Sequence, residues 1–245
     1  MSVPWAYSPQ LAPSFPSTCR IDVDEARHLS GSRRLRPGDR LCIFDGRGVV
    51  ADAAMGSLNR DGSFDAEIDG IRKLPPPSPI IEIASAVAKG DRLATLLESL
   101  GPLGAARWTP LACDHSVVRW TSSLATRSHR VLVACCKQSQ QPWIPLVVAE
   151  ASVESAVRDA VGRGLQVLVA HPSGDSFATS CGDATPAVPS SLTSPISIII
   201  GPEGGLTHAE LEAAQALGAK KISLGDSILR IELAVASALA KFRLP

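Results

Sequence analysis

The chain has 245 residues with 24 basic and 24 acidic side chains, a net charge of zero, 45% hydrophobic residues and only 4% aromatic ones. That length gives ample core for one large domain or two small ones. Zero net charge speaks against a broadly basic nucleic-acid face, and the few aromatics speak against a base-stacking platform, so any RNA contact must come from local patches. The opening Met1-Ser-Val-Pro-Trp5 lacks the basic-then-apolar pattern of a signal peptide, and no apolar run reaches membrane-spanning length. Cys19, Cys42, Cys113, Cys135, Cys136 and Cys181 show no CxxC spacing, which predicts reduced, mostly buried thiols in a cytoplasmic protein and no zinc site.

Residues 1–74 read as all-β. Ile21 to Asp24 is a candidate strand and Glu25 to Leu29 a short helical turn. Arg36-Pro37-Gly38-Asp39 carries a turn signal before the strand Leu41 to Phe44. Asp45-Gly46 then separates that strand from Val49 to Ala53, a strong hairpin signal. Ser63 to Asp69 alternates with period two, as a half-buried strand does. Short strands with regular turns suggest a small barrel.

Leu74-Pro75-Pro76-Pro77-Ser78-Pro79 is a stiff spacer and the expected boundary, with the second domain running over 80–245. Beyond it, strands and helices alternate. Ile80 to Ala84 is a strand, Arg92 to Leu100 a helix with leucines at helical spacing, Arg107 to Leu111 a strand, and Arg127 to Cys136 and Ser152 to Val161 are helices. Leu165 to Ala170 is a nearly continuous apolar run, the mark of a parallel strand buried on both faces. It is expected to stop at His171-Pro172, before a long Ser/Thr/Pro/Gly-rich connection to Pro195.

After that connection the β-branched run ending at Ile200 stops at Gly201-Pro202-Glu203-Gly204-Gly205. A helix follows, signed by a Thr207/Glu210 capping box, a Leu206/Leu211 staple and a terminating Gly218. Lys221 to Leu224 is a strand broken by Gly225, and Asp226 or Ser227 is expected to lead into a final apolar helix. The alternation predicts an α/β fold with a mostly parallel sheet.

Three strand ends therefore point to one place: Ala170-His171-Pro172, Ile200 to Gly205, and Leu224-Gly225. In open α/β sheets such ends hold ligands. The glycine loop is neither a Walker sequence nor GxGxxG; read alone it is equally a plain tight turn. There is no GxSxG nucleophile, and His28, His115, His129, His171 and His208 lack metal-ligand spacing. Glu203 is either a polar group of the site or a solvated turn residue. Arg230 follows Ile228-Leu229 close to the start of a largely apolar helix, where burying a guanidinium is costly. It either serves a ligand or pairs with Glu232 or another acid.

Ile200-Gly-Pro-Glu-Gly-Gly205 followed by Leu224-Gly-Asp-Ser-Ile-Leu-Arg-Ile-Glu-Leu-Ala234 resembles the RsmE family of 16S ribosomal RNA uridine-N3 methyltransferases, of the SPOUT class. Weaker similarities lie in Arg36-Pro-Gly-Asp39, Leu41 to Gly46, Lys89-Gly-Asp-Arg92, His115-Ser-Val-Val-Arg119 and Ala134 to Ser139. The resemblance implies a PUA-like β-barrel over 1–74, an α/β SPOUT domain with a C-terminal trefoil knot, a homodimer, and S-adenosylmethionine as cofactor. It implies cofactor contacts from Ala170, His171, Pro172, Ile200, Gly201, Pro202, Glu203, Gly204, Gly205, Leu224, Gly225, Ile228, Leu229 and Arg230. The barrel of such proteins guides RNA, which makes Arg33, Arg34, Arg36 and Arg40 candidate phosphate contacts or else a solvated loop. Arg230 becomes the group that stabilises charge on the target uracil, and Glu232 a candidate base. No metal is implied.

The chain departs from the family pattern at Ile231 and Leu233, which stand for hydroxyl residues, at Lys137 to Gln141, which lose an acid and an arginine, and at His115, which replaces an arginine. A non-catalytic RNA-binding or ribosome-assembly protein of the same fold is the second reading. A small-molecule α/β enzyme using another nucleotide is the third.

Overall fold

The computed structural model describes residues 3–14, 17–31, 34–176 and 194–243. The chain divides into two compact units, Met1–Pro76 with Val133–Ile144, and Pro77–Leu132 with Pro145–Pro245.

The first unit contains β1 (Trp5–Tyr7), β2 (Thr18–Ile21), α1 (Val23–Gly31), β3 (Arg40–Phe44), β4 (Val49–Ala54) and β5 (Phe64–Lys73). They form one sheet in the order β1-β3-β4-β5-β2, antiparallel except for β1 on β3. Alternation decides the faces of β5: Phe64, Ala66 and Ile68 point inward, while Asp65 and Glu67 point to solvent. Ile21, Leu29, Leu41, Ile43 and Phe64 make the core. The strand expected over Ile21 to Asp24 is displaced to Thr18–Ile21, because the Asp22 carboxylate accepts the Glu25 N–H at 2.8 Å and starts α1 there.

No sequence signal announces that Val133–Ile144 belongs to this unit. The segment closes over the β3–β4 turn: Ile144 N–H donates to Gly46 O at 3.0 Å, and Gly48 N–H to Pro142 O at 3.2 Å. A Cβ on Gly48 would stand 2.5 Å from the Trp143 ring, so the indole lies flat where only glycine fits. Lys137 is half-buried and gives both Glu25 carboxylate oxygens a hydrogen bond, at 2.9 and 2.7 Å. The departure from the family pattern at Lys137 is thus used inside the unit, as the partner of α1.

The second unit contains β6 (Ile81–Ala86), α2 (Asp91–Leu100), β7 (Arg107–Ala112), β8 (Leu146–Val147), β9 (Ala151–Ser152), α4 (Val153–Gly162), β10 (Gln166–Ser176), β11 (Ile196–Ile200), α5 (His208–Ala216), β12 (Lys220–Ser223) and α6 (Ile231–Arg243). The long helix α3 (Ser122–Ser139) passes from the second unit to the first at Val133. The strands form a parallel sheet of seven in the order β12-β10-β11-β6-β7-β8, with β9 also on β7. The α/β architecture expected from the alternation is the one observed. Helix α2 packs on α6 beside β6 and β11, and α4 packs on α5 beside β7, β10 and β11. At the amino-terminal edge, buried Glu82 holds Arg163 through two hydrogen bonds of 2.5 and 2.6 Å, with Arg107 3.6 Å away. That pairing pushes the Arg163 guanidinium pKa further up.

Two expected boundaries move. The final helix begins at Ile231, leaving 224–230 irregular, because the first helical bond is Ala234 N–H to Arg230 O at 2.8 Å. And β10 does not stop at His171-Pro172. Ala170 and Asp175 are both registered against Ile222, so residues 171–174 form a four-residue excursion, after which the strand resumes. Its return is tight: a Cβ on Gly174 would lie 2.3 Å from the Ile222 carbonyl carbon. Gly174→Ala should therefore destabilise the fold by about 1–3 kcal/mol through backbone displacement. Gly162→Ala, where a Cβ meets open space, should change stability by less than about 1 kcal/mol. Urea unfolding of both variants checks this; equal midpoints would contradict the close crossing.

Candidate functional site

Ala170 on β10, Ile200 on β11 and Ile222 on β12 stand side by side in the register of the sheet. The chain leaving each of them rises from the same carboxyl-terminal edge, and together they enclose a cavity of about 350 Å³. Its walls are Ala170 to Pro172, Ile200 to Leu206, Ser223 to Gly225, Ser227 to Leu229, and Ile231 and Ala234 of α6. Thirteen of the fourteen residues expected there from sequence are on that wall; Arg230 is not. Leu206, Ser223, Ser227, Ile231 and Ala234 join them. They flank the expected residues, and only the path of the irregular 224–230 segment shows which of them face inward.

The glycine loop owes its shape to local bonds. Gly205 N–H closes a turn on Pro202 O at 2.8 Å, and Gly205 sits at φ +76°, where a side chain is strained. The expected capping box is present, with Thr207 N–H on Glu210 Oε2 at 2.8 Å and Glu210 N–H on Thr207 Oγ1 at 3.3 Å.

Neighbouring strands then tie the loop down. From the first turn of α2, which follows β6, Arg92 donates to Glu203 at 2.7 Å. From the loop after β7, His115 Nδ1 meets Gly205 O at 3.1 Å, and a carbonyl only accepts, so Nδ1 carries the proton. Asp114 N–H donates to Glu210 Oε1 at 3.0 Å, and Thr207 Oγ1 to Asp114 at 3.2 Å. Arg92 and His115 were legible only as parts of weakly similar segments; their roles are set by which strands neighbour β11.

The two residues singled out for chemistry stand elsewhere than expected. Arg230 is exposed rather than buried. It is the residue just before α6, and the helical turn directs Ile231 and Ala234, three residues apart, to the cavity instead. No ion pair joins it to Glu232. Glu232 is buried at 7% exposure but off the cavity wall, and its Oε2 has no hydrogen-bond partner among the described residues.

Of the basic residues proposed on the first unit, Arg33 lies outside the described residues. Arg34 and Arg36 are exposed, and Arg40 is paired with Asp69. Cys19, Cys42, Cys113, Cys135 and Cys136 are buried thiols, while Cys181 lies outside the described residues. Burial pushes the Cys113 thiol up to about 12 and Cys42 to about 11, so neither is a nucleophile. Among the described residues no group of His, Cys, Asp and Glu is placed to hold a metal, and no helix is long and apolar enough to cross a membrane.

Removing the lateral ties should loosen the glycine loop without unfolding the sheet. An exposed ion pair is worth about 0.2–1 kcal/mol and a neutral hydrogen bond about 1 kcal/mol. Arg92→Ala combined with His115→Ala should therefore speed amide exchange in 201–206 by roughly 5- to 30-fold, leaving β6 and β11 protected. Exchange mass spectrometry reads both; an unchanged loop would show that the ties do not hold it.

The profile of the RNA methyltransferase domain matches residues 76–243, and that of the RNA methyltransferase PUA domain matches 21–68. Ribosomal RNA small subunit methyltransferase E of Mycobacterium tuberculosis is 29% identical over 226 residues, covering 89% of this chain and 83% of the relative. A probable rRNA-methyltransferase of Porphyromonas gingivalis superposes with a TM-score of 0.80 at 27% identity, over 97% of this chain and 95% of the other. The Neisseria gonorrhoeae ribosomal RNA small subunit methyltransferase E, crystallised with S-adenosyl methionine, has a TM-score of 0.82 at 24% identity, over 98% and 96%. With these matches spanning both units, the chain belongs to the RNA methyltransferase family, and among its members it is similar to the ribosomal RNA small subunit methyltransferases E.

Proposed function

We propose that this chain transfers a methyl group from S-adenosylmethionine to N3 of a uridine in 16S ribosomal RNA. The observation that carries the reading is the cavity itself: the loops after three adjacent parallel strands converge on a space of about 350 Å³, within the range of small-molecule sites. The residues present fit an adenosyl ligand. Ile200, Leu224, Leu229 and Ile231 offer apolar surface. Backbone polar groups of the glycine loop, which a Cβ would screen, are available for the ring and ribose edges.

Bound there, S-adenosylmethionine supplies an electrophilic methyl on a sulfonium. What the protein must add is help for a weak nucleophile. Uracil N3 carries a proton, and once that leaves, negative charge spreads onto the two flanking carbonyl oxygens. A guanidinium fixed against one of those oxygens stabilises that charge most where water is excluded.

Arg230 is assigned this role, and its exposure in the single chain makes the proposal specific. Ile228, 85% exposed and part of the cavity wall, and Leu233, 52% exposed, flank it in sequence, an apolar pair left in water. We take these as the surface that a second copy covers, so that the guanidinium loses its water on dimerisation. The trefoil threading belongs to the same reading, supported by the tight passage of Gly174 against the Ile222 backbone. So does RNA guidance by the first unit through Arg34 and Arg36. The exposed Arg230 also favours a second reading, a non-catalytic RNA-binding or assembly protein that keeps the cavity.

Turnover decides between them. Titration calorimetry should give binding of S-adenosylmethionine, and 16S RNA from cells lacking the gene should gain one methyl on uridine, found by mass mapping, when incubated with the protein. Binding of RNA without release of S-adenosylhomocysteine would establish the second reading. Arg230→Ala should lower turnover by about 100- to 1,000-fold with cofactor affinity changed by less than about threefold; full activity would remove the assignment. Leu233→Asp, a change off the cavity wall, should convert a dimer to a monomer in sedimentation and lose turnover in parallel.

A further inference from the structure

Among the cavity's described side chains only His171 and Glu203 are titratable, and Glu203 is already held by Arg92. Among the described residues no lysine or arginine lines the space. His171 sits at the start of the four-residue excursion of β10, whose two ends are both fixed against Ile222. Its Nδ1 receives the backbone N–H of Ser173 at 3.1 Å and lies 2.9 Å from the Ser173 hydroxyl. A backbone amide always donates, so Nδ1 holds a lone pair and the proton of the neutral ring is on Nε2. The ring is thereby fixed as a donor on the cavity wall. An Nε2–H has no lone pair with which to take the proton from uracil N3, so this side chain is not arranged as the base.

Few other side-chain donors remain. The Ser223 hydroxyl donates to Gly225 O at 2.9 Å and accepts from Gly225 N at 3.3 Å, which leaves Ser227 and His171. An adenosyl ligand has one anionic group, the carboxylate of its amino-acid tail. Adenine nitrogens and ribose oxygens are neutral and are served well enough by backbone amides, whereas a carboxylate in a partly apolar cavity needs a fixed donor.

We propose that His171 Nε2–H is the group that recognises the amino-acid carboxylate of the cofactor, with Ser173 holding the ring in the tautomer that does so. His171 is then a specificity-determining residue, selecting ligands that carry the amino-acid tail over those that end at the sulfur. The proposal rests on the reading of this cavity as the S-adenosylmethionine site.

Two ligands separate the contributions: S-adenosylhomocysteine, and 5′-methylthioadenosine, which keeps the adenosyl and thioether groups but lacks the tail. By calorimetry, His171→Ala should weaken S-adenosylhomocysteine by about 10- to 100-fold and 5′-methylthioadenosine by less than threefold, the latter also certifying a folded cavity. His171→Gln, whose amide N–H reaches the place of Nε2, should recover most of the loss. Ser173→Ala should cost a smaller factor, again only for the tailed ligand. Equal losses for both ligands, or no loss for S-adenosylhomocysteine, would overturn the proposal. A wild-type protein that binds neither ligand would overturn the cavity assignment itself, and this proposal with it.

Discussion

The site depends on one constraint at the sheet edge: Ile222 is registered against two residues of β10, Ala170 and Asp175. A strand that pairs, leaves and pairs again with the same partner must spend the residues between in a closed excursion. Here those residues are His171 to Gly174, and the excursion presents His171 and Pro172 to the cavity. The same constraint makes Gly174 obligatory, since a Cβ would enter the Ile222 backbone. Because β10, β11 and β12 are parallel and in register, the glycine loop after Ile200 and the segment after Ser223 rise beside that excursion without further arrangement.

Charge is used differently at the two edges of the sheet. At the amino-terminal edge Glu82 is buried, and Arg163 neutralises it through a fork of two bonds. Removing one partner from such a pair typically costs several kcal/mol, so this is structural. At the carboxyl-terminal edge the Arg92–Glu203 pair is half exposed, and pairs of that kind are worth about 0.2–1 kcal/mol. No single tie there is strong. The glycine loop is placed instead by several weak ones that approach from different strands: Arg92 from the side of β6, Asp114 and His115 from the side of β7, and the capping box from within. Such an arrangement fixes the backbone while leaving the loop soft enough to admit a ligand.

Much of this is legible in the chain, because much of it is local. The capping box, the turn glycines, the period-two alternation of β5 and the apolar runs of β10 and β11 depend on residues close in sequence, and each is found where the pattern put it. What was not legible depends on neighbours far away. Nothing near Val133–Ile144 says that it completes the first unit; the signal is a flat Trp143 ring on Gly48, 95 residues apart in numbering. His115 and Arg92 could not be assigned to the glycine loop until the strand order placed β6 beside β11 and β7 next beyond it. The β10 excursion was missed because His-Pro followed by Ser-Gly is ordinary loop chemistry, and only pairing with β12 turns it back into strand. Arg230 was misplaced by one turn of helix, since the expected start near Asp226 or Ser227 would have put its side chain on the inward face.

That misplacement sharpens the chemistry. A helix starting at Ile231 commits its first inward positions to Ile231 and Ala234, the apolar contacts an adenosyl group wants, and Arg230 cannot share that face. A guanidinium on the cavity wall would in any case repel the sulfonium of a bound cofactor. Placed one residue before the helix, Arg230 is exposed and off the wall; on the proposed reading it meets the target base rather than the cofactor. On the proposed reading, the exposed Ile228 and Leu233 then have a purpose that burial in the monomer could not give them: a second copy seated on them removes water from Arg230 only in the assembled protein. Glu232 fits the same logic. Its carboxylate is already buried by its own chain, at the positive end of α6, where the helix dipole favours negative charge. On the proposed reading, a buried Glu232 that forms no ion pair with Arg230 leaves the guanidinium to a negative charge that arises only during the reaction.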